Sequence, residues 1–554
     1  MSKHIRAGEA AVRILERQGV KYAFGVPGES FLGLLDVLRD SDQIQLIGTR
    51  HEGGAAFMAE AVGKLTGAPA IAMGTRGVGS ANLTIGIHTA YQDSTPMIAM
   101  VGHVETPYRH REALQEVELA PFLSEITKWA IEVPTGDRLP DLTNEAWRRS
   151  VSGRPGPVAL ALRGDILDEE VPADLPISSE VPIAGADRAG IERALDLLRA
   201  AERPLVIVGG GVLRAGATDA LVAFAEATGL PVMTSFRRHD AFPNDHPLSI
   251  GSLSLGAPNV VVERARNADV VLAIGTRLGE TTTFGYTLPG PDATLIHIDA
   301  SPDVVGRTFP ATVALVADAG RAIAALTEAA AKTDWPDWSA RNRADRDAYE
   351  RATEPPAVSG VQDLVDPARV IGELNRQLPP DAVLTCDAGN FYGWLSRYYT
   401  YRQPGTFLGP TSGAMGYAVP AAVAAALVLE NRVPSVAFAG DGGFMMTSNE
   451  LAVAAQHGLR VTCVVFNNSM YGTIRAHQER AYPGRVAGTN LASPDFVKYA
   501  ESFGGIGVRV ERDQDIADGV RQVVEHDGIG LLEIAVAENT LSVAQTLEEI
   551  RGSR

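Results

Sequence analysis

Short apolar runs alternate with helical patterns in three separate parts of this 554-residue chain. Each run has the length of a buried strand and is followed by a turn or a helix-like segment. Strands that alternate with helices form parallel sheets with helices on both faces. A chain of this length also exceeds what one hydrophobic core can organise. The pattern therefore predicts an α/β protein with three doubly wound parallel-sheet domains.

Two polar stretches separate the three sets of runs. The first, Asp168–Ala186, is acidic and rich in proline, and the second, Lys332–Asp363, is rich in arginine, acidic residues and proline. Both are predicted to be linkers. The domains expected on this basis are an N-terminal domain (1–168), a central domain (187–331), a C-terminal domain (364–537) and a C-terminal tail (538–554).

The apolar runs of each domain are predicted to be its strands. In parallel sheets, ligands bind beyond the carboxyl ends of the strands, so functional residues are expected in the loops that follow these runs. The predicted strands are Lys21–Val26, Ala68–Met73, Pro96–Gly102 and Pro157–Leu162, then Pro204–Gly209, Pro231–Thr234, Val270–Gly275 and Leu295–Asp299, and finally Ala382–Cys386, Pro434–Ala439, Val461–Asn467 and Leu531–Ala535.

Charge and cysteine content exclude several classes of protein. The net charge of −18 is spread along the chain, which argues against nucleic acid or an anionic membrane as a partner. Two cysteines in apolar runs, Cys386 and Cys463, make neither a disulfide framework nor a metal cluster. The first 19 residues are predicted to form an amphipathic helix rather than a signal peptide, and no apolar stretch has membrane-spanning length. We expect a cytoplasmic protein.

Two runs of the third set end in residues suited to a diphosphate and its metal. The glycines of Gly440–Phe444 let backbone amides approach an anion, and a helix predicted at Ser448–His457 would favour negative charge. Asp441 offers a carboxylate and Asn468, after the next run, an amide oxygen. With the Met470 carbonyl, two diphosphate oxygens and a water they would complete an octahedral Mg²⁺ site. The glycine motif alone predicts only a tight turn, and the asparagine is what favours the metal.

Further motifs along nearly the whole chain occur in the order seen in one family. Together with Asp441 and Asn468, the chain resembles the thiamine-diphosphate enzymes of the acetolactate synthase, pyruvate oxidase and benzaldehyde lyase group. The resemblance implies pyrimidine-binding, central and diphosphate-binding domains, with thiamine diphosphate and Mg²⁺ as cofactors. The motifs are Gly-Thr-Arg-His51-Glu52-Gly-Gly-Ala, Arg76-Gly-Val-Gly-Ser-Ala-Asn82-Leu, Ala-Tyr-Gln-Asp93-Ser-Thr-Pro96, Ala-Leu-Gln115-Glu116-Val-Glu and Gly413-Ala-Met415-Gly-Tyr-Ala-Val-Pro420.

Glu52 is the carboxylate that the resemblance places against the cofactor. A zinc-protease motif is excluded, since the second histidine of His-Glu-x-x-His is replaced by Ala55. The purely structural alternative is that Glu52 is a first-turn carboxylate at the start of a helix that extends to Met58. The resemblance instead makes Glu52 the partner of the aminopyrimidine nitrogen, which helps the cofactor lose the proton on thiazolium C2. An apolar setting would hold the proton of such a glutamate near neutral pH.

The resemblance also assigns the remaining contacts to the cofactor. Met415 would lie under the thiazolium ring, although a core methionine is the alternative, and the Gly413 carbonyl would face the cofactor amine. Asn390 and Phe391 lie where the family contacts the diphosphate. The implied cofactor-binding residues are Glu52, Asn390, Phe391, Gly413, Met415, Gly440, Asp441, Gly442, Gly443, Asn468, Met470, Tyr471, Gly472 and Ile474, with Asp441, Asn468 and Met470 as metal ligands and Glu52, Gln115 and His477 as catalytic residues.

Two specificity residues of acetolactate synthases are absent. Those enzymes carry a tryptophan in the helix after the metal asparagine and an arginine in a Phe-Asp-Asp-Arg segment, where this chain has His477 and Thr281. Threonine cannot replace an arginine that binds a carboxylate through two hydrogen bonds. The mechanism would survive, but the acceptor is expected to differ. Arg475 and Lys128 are other cations that could supply the missing charge.

Several pocket candidates keep two interpretations. His477 either contacts substrate or is a solvated residue of a charged helix, and His103, at the end of a predicted strand, poses the same choice. Gln115 is implied by the resemblance as a pocket residue, and Leu114 replaces the usual phenylalanine, which predicts a wider pocket. Glu29 either faces substrate or caps a helix that begins near residue 30.

The central domain leaves its ligand open. Gly209-Gly210-Gly211 follows a predicted strand but lacks the full Gly-x-Gly-x-x-Gly pattern of a nicotinamide site. In the family this domain holds FAD, holds ADP or is empty. The strand Leu295–Asp299 resembles the one that contacts adenosine, whereas a His-Gly pair beside the flavin is replaced by Leu255-Gly256.

The leading hypothesis is a carboligase or decarboxylase, hence a lyase or transferase, that acts on a 2-oxo acid and an aldehyde or ketone. It would be similar to acetolactate synthase but with an altered acceptor pocket. The alternatives are a hydroxyketone lyase of the benzaldehyde lyase kind, a flavin-containing 2-oxo acid oxidase and a silent cofactor-binding scaffold. The resemblance also implies a homodimer or homotetramer, because Glu52 and the metal motif meet across a subunit interface in this family.

Overall fold

The computed structural model describes residues 4–175, 180–357 and 364–552. The chain forms two compact units, each built from three segments. The first unit consists of Met1–Pro182, Pro410–Ser435 and Phe444–Val461, and the second of Ile183–Gly409, Val436–Gly443 and Thr462–Arg554.

The N-terminal sheet has the order β3-β2-β4-β5-β7-β6, and its neighbouring strands are parallel. The chain order reverses between β2 and β4, which creates a crevice at their carboxyl ends. Its strands, with the ribbon strands β1 and β8, are β1 His4–Arg6, β2 Tyr22–Gly25, β3 Gln45–Gly48, β4 Ala70–Thr75, β5 Met97–His103, β6 Trp129–Glu132, β7 Pro157–Arg163 and β8 Glu170–Pro172. The helices are α1 Ala7–Arg17, α2 Leu32–Arg39, α3 Glu52–Thr66, α4 Arg76–Asp93, α5 Leu119–Ser124 and α6 Leu139–Val151.

The central sheet is also parallel, with the order β11-β10-β9-β12-β13-β14 and a reversal between β9 and β12. The strands are β9 Pro204–Val208, β10 Val232–Thr234, β11 Ser249–Ser252, β12 Val270–Ile274, β13 Thr294–Asp299 and β14 Val313–Val316. The helices are α7 Arg188–Ala200, α8 Gly210–Arg214, α9 Thr218–Thr228, α10 Asn259–Arg266, α11 Ala319–Ala330 and α12 Ser339–Thr353.

The C-terminal sheet has the order β16-β15-β17-β18-β20-β19, the same connection pattern as the N-terminal sheet. The strands are β15 Val383–Cys386, β16 Phe407–Leu408, β17 Ser435–Gly440, β18 Val461–Asn467, β19 Ile506–Val510 and β20 Ile529–Ala535. The helices are α13 Pro367–Gln377, α14 Tyr392–Tyr398, α15 Ala418–Val428, α16 Asp441–Thr447, α17 Leu451–His457, α18 Gly472–Ala481, α19 Phe496–Glu501, α20 Ile516–Glu525 and α21 Leu547–Gly552.

The fold class predicted from the sequence is confirmed, since three six-stranded parallel sheets are present. Every predicted strand corresponds to an inner strand of one of these sheets. The edge strands β3, β6, β11, β14, β16 and β19 were not predicted. Inner strands are covered on both faces and read as continuous apolar runs, whereas β14 alternates between buried and exposed residues and β16 has only two residues.

Both linker predictions and the first helix need correction. Within Asp168–Ala186, β8 pairs antiparallel with β1, so the chain from residue 4 to 6 is a strand and α1 begins only at Ala7. Within Lys332–Asp363, the helix α12 contacts α10 through charged side chains, since Asp345 accepts from Arg264 at 2.8 Å. Residues 1–3, 176–179 and 358–363 of these predictions lie outside the described residues.

None of the helices in the described ranges combines the length and the apolar character needed to cross a bilayer.

Candidate active site

In the second unit, Asp441 opens α16 directly after β17. The predicted helix start at Ser448 is therefore wrong, since the glycines after Asp441 are already the first turn of a helix and Ser448–Glu450 form a 3-10 turn. Asp441 is 2% exposed, and its burial raises the pKa of the carboxyl to about 6. Backbone N–H groups of Gly442 and Ser469 and the Ser493 hydroxyl donate to it and partly offset that effect.

The turn that carries Asn468 follows the neighbouring strand β18. Asn467 stabilises this turn, because its Oδ1 accepts from the Ser469 N–H at 3.1 Å and its Nδ2 donates to Glu533 at 2.7 Å. Ser469 has a left-handed backbone (φ +54°), which turns the chain toward Asp441. The two sequence motifs therefore meet at the carboxyl ends of adjacent strands, as expected.

The other predicted diphosphate contacts gather around the same turn. A Cβ on Gly442 would lie 2.4 Å from the Tyr471 ring, so this position requires glycine. The Asn390 Oδ1 accepts from the Thr473 hydroxyl at 3.0 Å, and Phe391 stacks on Phe466 with ring centroids 5.7 Å apart. Further along α18, Ile474 and His477 have exposed side chains. Met470, by contrast, is buried, in one apolar cluster with the C-terminal helix residues Leu547 and Ile550.

In the first unit, Glu52 is the first residue of α3, a helix that extends to Thr66 rather than to Met58. The Asn82 side chain donates to the Glu52 carboxylate at 2.9 Å, and a Cβ on Gly79 would lie 3.4 Å from its other oxygen. The first turns of α3 and α4 thus face each other. His51 caps α3, since its Nδ1 accepts from the Gly53 N–H at 2.9 Å. The residues that follow Glu52 in α3, from Gly53 to Gly63, are all buried.

Glu450 was missed by the sequence analysis. It is fully buried, and its carboxylate accepts from the backbone N–H groups of Arg50 at 3.1 Å and His51 at 2.9 Å, just before Glu52. Burial raises the pKa of Glu450 to about 7, although these two hydrogen bonds oppose the shift. The sequence shows only a glutamate in a helical segment, and its partners lie 400 residues away along the chain.

The segment with Gly413 and Met415 precedes α15. Gly413 has a left-handed backbone (φ +73°) and its N–H donates to the Pro410 carbonyl, which closes a tight turn. The Thr447 hydroxyl donates to the Gly416 carbonyl at 2.6 Å. Met415, between these two fixed points, is half-buried. The backbone of the segment is thus held on both sides of Met415.

A buried polar network anchors the same segment to α3 and α4. The Tyr417 hydroxyl donates to Glu60 at 2.6 Å, and Lys64 lies 3.0 Å from Glu60 and 3.3 Å from Asp93. Asp93 in turn accepts from the backbone N–H of Thr411. Asp93, a residue of the sequence motifs, therefore has a structural role in this unit.

Gln115, Glu29 and His103 lie at the carboxyl ends of the N-terminal sheet. The Gly77 N–H donates to the Gln115 carbonyl at 3.0 Å, while Glu29 lies 3.4 Å from the Arg76 guanidinium. His103 is fully buried at the end of β5; its Nδ1 accepts from the Val104 N–H, and desolvation lowers its pKa. His103 is therefore a neutral, buried histidine at the end of a strand, and the interpretation of it as a solvated residue is wrong.

The glycine turn after β9 lies at the reversal point of the central sheet. The Gly211 N–H donates to the Gly275 carbonyl at 2.9 Å, which packs the ends of β9 and β12 together. A Cβ on Gly210 would lie 2.7 Å from the Arg238 guanidinium nitrogen Nε. Thr281 is half-buried, and Leu255 is exposed beside Gly256, whose φ is +86°. Gly209–Gly211 thus form the turn between β9 and α8, with the Arg238 side chain against it.

Three family models match the chain, and together they cover most of it. They are described as the N-terminal TPP binding domain (residues 5–122), the central domain (191–326) and the C-terminal TPP binding domain (387–534) of thiamine pyrophosphate enzymes. Thiamine pyrophosphate is another name for thiamine diphosphate. The chain belongs to the thiamine pyrophosphate enzymes.

Within that family, relatives similar over nearly the whole chain include acetolactate synthases. The acetolactate synthase of Mycobacterium bovis is 32% identical over 536 residues, which cover 94% of this chain and 86% of the relative. The acetolactate synthase isozyme 3 large subunit of Escherichia coli is 31% identical over 543 residues, 94% of this chain and 92% of the relative. The acetolactate synthase large subunit of Corynebacterium glutamicum is 30% identical over 554 residues, which cover 97% of this chain and 88% of the relative. The protein is an acetolactate-synthase-like enzyme that uses thiamine diphosphate and forms carbon–carbon bonds, as the sequence motifs predicted.

Proposed function

We propose that this enzyme is a Mg²⁺-dependent carboligase or decarboxylase of a 2-oxo acid, with an acceptor pocket unlike that of its relatives. The observation that carries the proposal is the carboxylate of Glu52 at the start of α3, oriented by Asn82 at 2.9 Å. When bound, thiamine diphosphate supplies a thiazolium carbon nucleophile and an electron sink for decarboxylation. Glu52 would hold the proton at the aminopyrimidine nitrogen, and Gly413 and Met415 would orient the ring system.

The residues around Asp441 fit a magnesium ion. Among the described residues there is no cluster of three histidine, cysteine or acidic side chains, so a site made of protein carboxylates or imidazoles is not available. Asp441, the amide oxygen of Asn468 and the carbonyl of Met470 offer the few hard oxygen ligands that Mg²⁺ takes when phosphate oxygens and water supply the rest.

Asp441→Ala tests the metal assignment. Loss of this ligand leaves the diphosphate without its counter-ion, so we expect Mg²⁺-dependent cofactor binding to disappear. Calorimetry with thiamine diphosphate, with and without Mg²⁺, measures it. Ser493→Ala is the matched control, because its hydroxyl contacts Asp441 at 3.3 Å without being a proposed ligand. Unchanged affinity in Asp441→Ala would remove the metal assignment.

The acceptor is proposed to be an uncharged aldehyde or ketone. Lys128, one example of a cation that could replace the missing arginine, donates to the carbonyls of Arg149 and Ser152. Arg475, a second example, is paired with Glu479 at 3.0 Å. A buried acceptor carboxylate would then lack a partner, at a cost of several kcal/mol.

The proposed active unit is a homodimer or homotetramer in which Glu52 of one subunit serves the metal site of another. Apolar side chains exposed on the first unit support such an interface, among them Val78 and Ile85, two turns apart on α4. Mixing inactive Glu52→Gln and Asp441→Ala proteins tests it. Exchange of subunits should restore part of the activity, because one shared site would carry both intact residues. Absence of any recovery after exchange contradicts shared sites.

One assay tests the proposed activity and its alternatives. Purified protein with thiamine diphosphate and Mg²⁺ is incubated with a panel of 2-oxo acids, aldehydes and hydroxyketones, and products are identified by mass spectrometry. We expect carbon dioxide release and hydroxyketone formation, with an aldehyde outcompeting pyruvate as acceptor. Acetolactate as the main product would contradict the altered pocket. Cleavage of hydroxyketones without carbon dioxide release would indicate a hydroxyketone lyase. Bound flavin together with peroxide formation would indicate a 2-oxo acid oxidase, and the absence of any turnover would indicate a cofactor-binding scaffold.

A further inference from the structure

The loop from Arg109 to Glu118, here called the Gln115 loop, has an unusual backbone. Three of its non-glycine residues adopt left-handed conformations: His110 (φ +60°), Glu112 (φ +54°) and Gln115 (φ +61°). Such conformations are uncommon outside glycine and persist only when surrounding contacts enforce them. The loop follows β5 and carries the residue that the family resemblance places in the substrate pocket.

One carboxylate, that of Glu116, enforces this conformation. It accepts from the backbone N–H of His110 at 2.8 Å and of Ala113 at 3.2 Å, and from the Arg109 guanidinium at 2.5 Å. The His110 N–H, together with Arg109, lowers the pKa of Glu116 to about 2, so the group stays ionised in any ordinary buffer. These hydrogen bonds connect Glu116 to the segment from Arg109 to Ala113, which contains two of the three strained residues.

Arg109 ties this arrangement to the sheet. Its side chain is 8% exposed and its NH2 group donates to Glu132, the last residue of β6, at 3.0 Å. The same group contacts Glu118 at 3.2 Å, but Glu118 is more than half exposed. The connection from Glu116 through Arg109 to Glu132, whose side chain is 27% exposed, is thus less exposed than the contact with Glu118.

The opposite side of the loop rests on the first turn of α4. The Gly77 N–H donates to the Gln115 carbonyl at 3.0 Å, and Arg76 donates to the Leu114 carbonyl at 3.3 Å. The first two turns of the same helix present Gly79 and Asn82 to Glu52. Gln115 is therefore fixed relative to the proposed catalytic carboxylate.

The side-chain oxygen of Gln115 is buried, and no hydrogen-bond donor reaches it from residues 4–175, 180–357 or 364–552. An unpaired buried acceptor is unfavourable unless a ligand supplies the donor. We propose that Glu116 is a positioning residue that holds Gln115 so that this oxygen accepts a hydrogen bond from the hydroxyl group into which the substrate's carbonyl is converted when its carbon is attacked and its oxygen is protonated. The proposal rests on the proposed function, because it assigns Gln115 to the same pocket.

Glu116→Gln tests the proposal, with Glu118→Gln as the matched control. Glutamine at 116 cannot accept from both amides and Arg109, so the loop should relax and kcat/KM for the 2-oxo acid should fall about tenfold, the scale of one lost hydrogen bond. Glu118→Gln should leave it unchanged. Exchange of the cofactor C2 proton should keep its wild-type rate in both variants, because that step belongs to Glu52.

A double mutant separates positioning from general stability. If Glu116 acts through Gln115, then Gln115→Ala with Glu116→Gln should lose no more activity than Gln115→Ala alone. If Glu116→Gln does not fold, Arg109→Lys replaces it in the test. Lysine keeps the charge but cannot form the paired hydrogen bonds of a guanidinium, so Arg109→Lys should lower kcat/KM as expected for Glu116→Gln. Additive losses, an equal loss in Glu118→Gln or slower C2 exchange would overturn the inference. Inactive wild-type protein would instead overturn the proposed function, and the inference with it.

Discussion

Glu450 and Glu116 each stabilise a backbone turn, but their surroundings shift the pKa values of the two carboxylates in opposite directions. Each carboxylate accepts from two backbone N–H groups of a turn, at Arg50 and His51 for Glu450 and at His110 and Ala113 for Glu116. Each turn holds a residue assigned to the reaction. The pKa of Glu450 is raised to about 7, whereas that of Glu116 is lowered to about 2.

The difference shows what backbone amides can and cannot do for a carboxylate. Burial dominates at Glu450, and the Arg50 guanidinium donates to the Gly48 carbonyl and to Gln456 instead. At Glu116 the amides act together with the Arg109 guanidinium. Burial decides the direction of the shift: it outweighs the two amides at Glu450, whereas at Glu116 the His110 amide together with the Arg109 guanidinium outweighs it.

The largest effect is expected for Glu450→Ala. The two backbone N–H groups that face the fully buried carboxylate lose their acceptor, and a cavity remains beside Gly54, where a Cβ would already lie 2.4 Å from Glu450. We expect the free energy of unfolding to fall by at least about 2 kcal/mol. Urea denaturation of the variant and the wild type measures this. A change within experimental error would mean that water replaces the carboxylate without cost.

The pH dependence of stability should separate the two carboxylates. The pKa of Glu450 is raised above its ordinary 4.5, so its contribution is fully present below pH 4.5 and is lost as the pH rises through about 7. Glu450→Gln should therefore reduce the decline in stability between these values. For Glu116 the pKa is lowered, so its contribution is present above pH 4.5 and is lost only toward pH 2. Glu116→Gln should not alter the slope between pH 4.5 and 7; an altered slope there would contradict the comparison.

The smallest effect is expected for Glu116→Ala on stability. His110 is exposed, so water can hydrate its amide when the carboxylate is removed. We expect a urea midpoint close to that of the wild type, with the loss confined to substrate kinetics. A midpoint shift as large as that of Glu450→Ala would show that the Gln115 loop supports the fold of the whole unit.

The sheets show where sequence patterns predict structure and where they do not. The inner strands, such as β5, are buried over their whole length, so their apolar runs are visible in the sequence. The edge strand β14 alternates between buried and exposed residues and β16 has only two residues, so their patterns resemble those of loops. The sequence predicts a linker where α12 lies, because the partners of its charged residues, such as Arg264 for Asp345, are far along the chain.

The site divides in the same way. The positions of Asp441 and Asn468 at neighbouring strand ends could be predicted because each lies in a short motif at the end of an inner strand, whereas their role as metal ligands stays a prediction. Glu450 could not be predicted, since its function depends on His51, 399 residues away. The conformation of the Gln115 loop also escapes prediction, because nothing in its composition indicates left-handed backbones without glycine. Long-range hydrogen bonds create both features.

The central claim, that Glu52 activates the bound cofactor, is tested most directly by exchange of the thiazolium C2 proton with deuterated water. The rate is measured in the wild type and in Glu52→Gln, at saturating thiamine diphosphate and Mg²⁺. We predict that the variant exchanges this proton at least about a hundredfold more slowly, the scale of a lost acid–base group, while cofactor affinity is retained. Exchange at the wild-type rate in Glu52→Gln would contradict the assignment of Glu52.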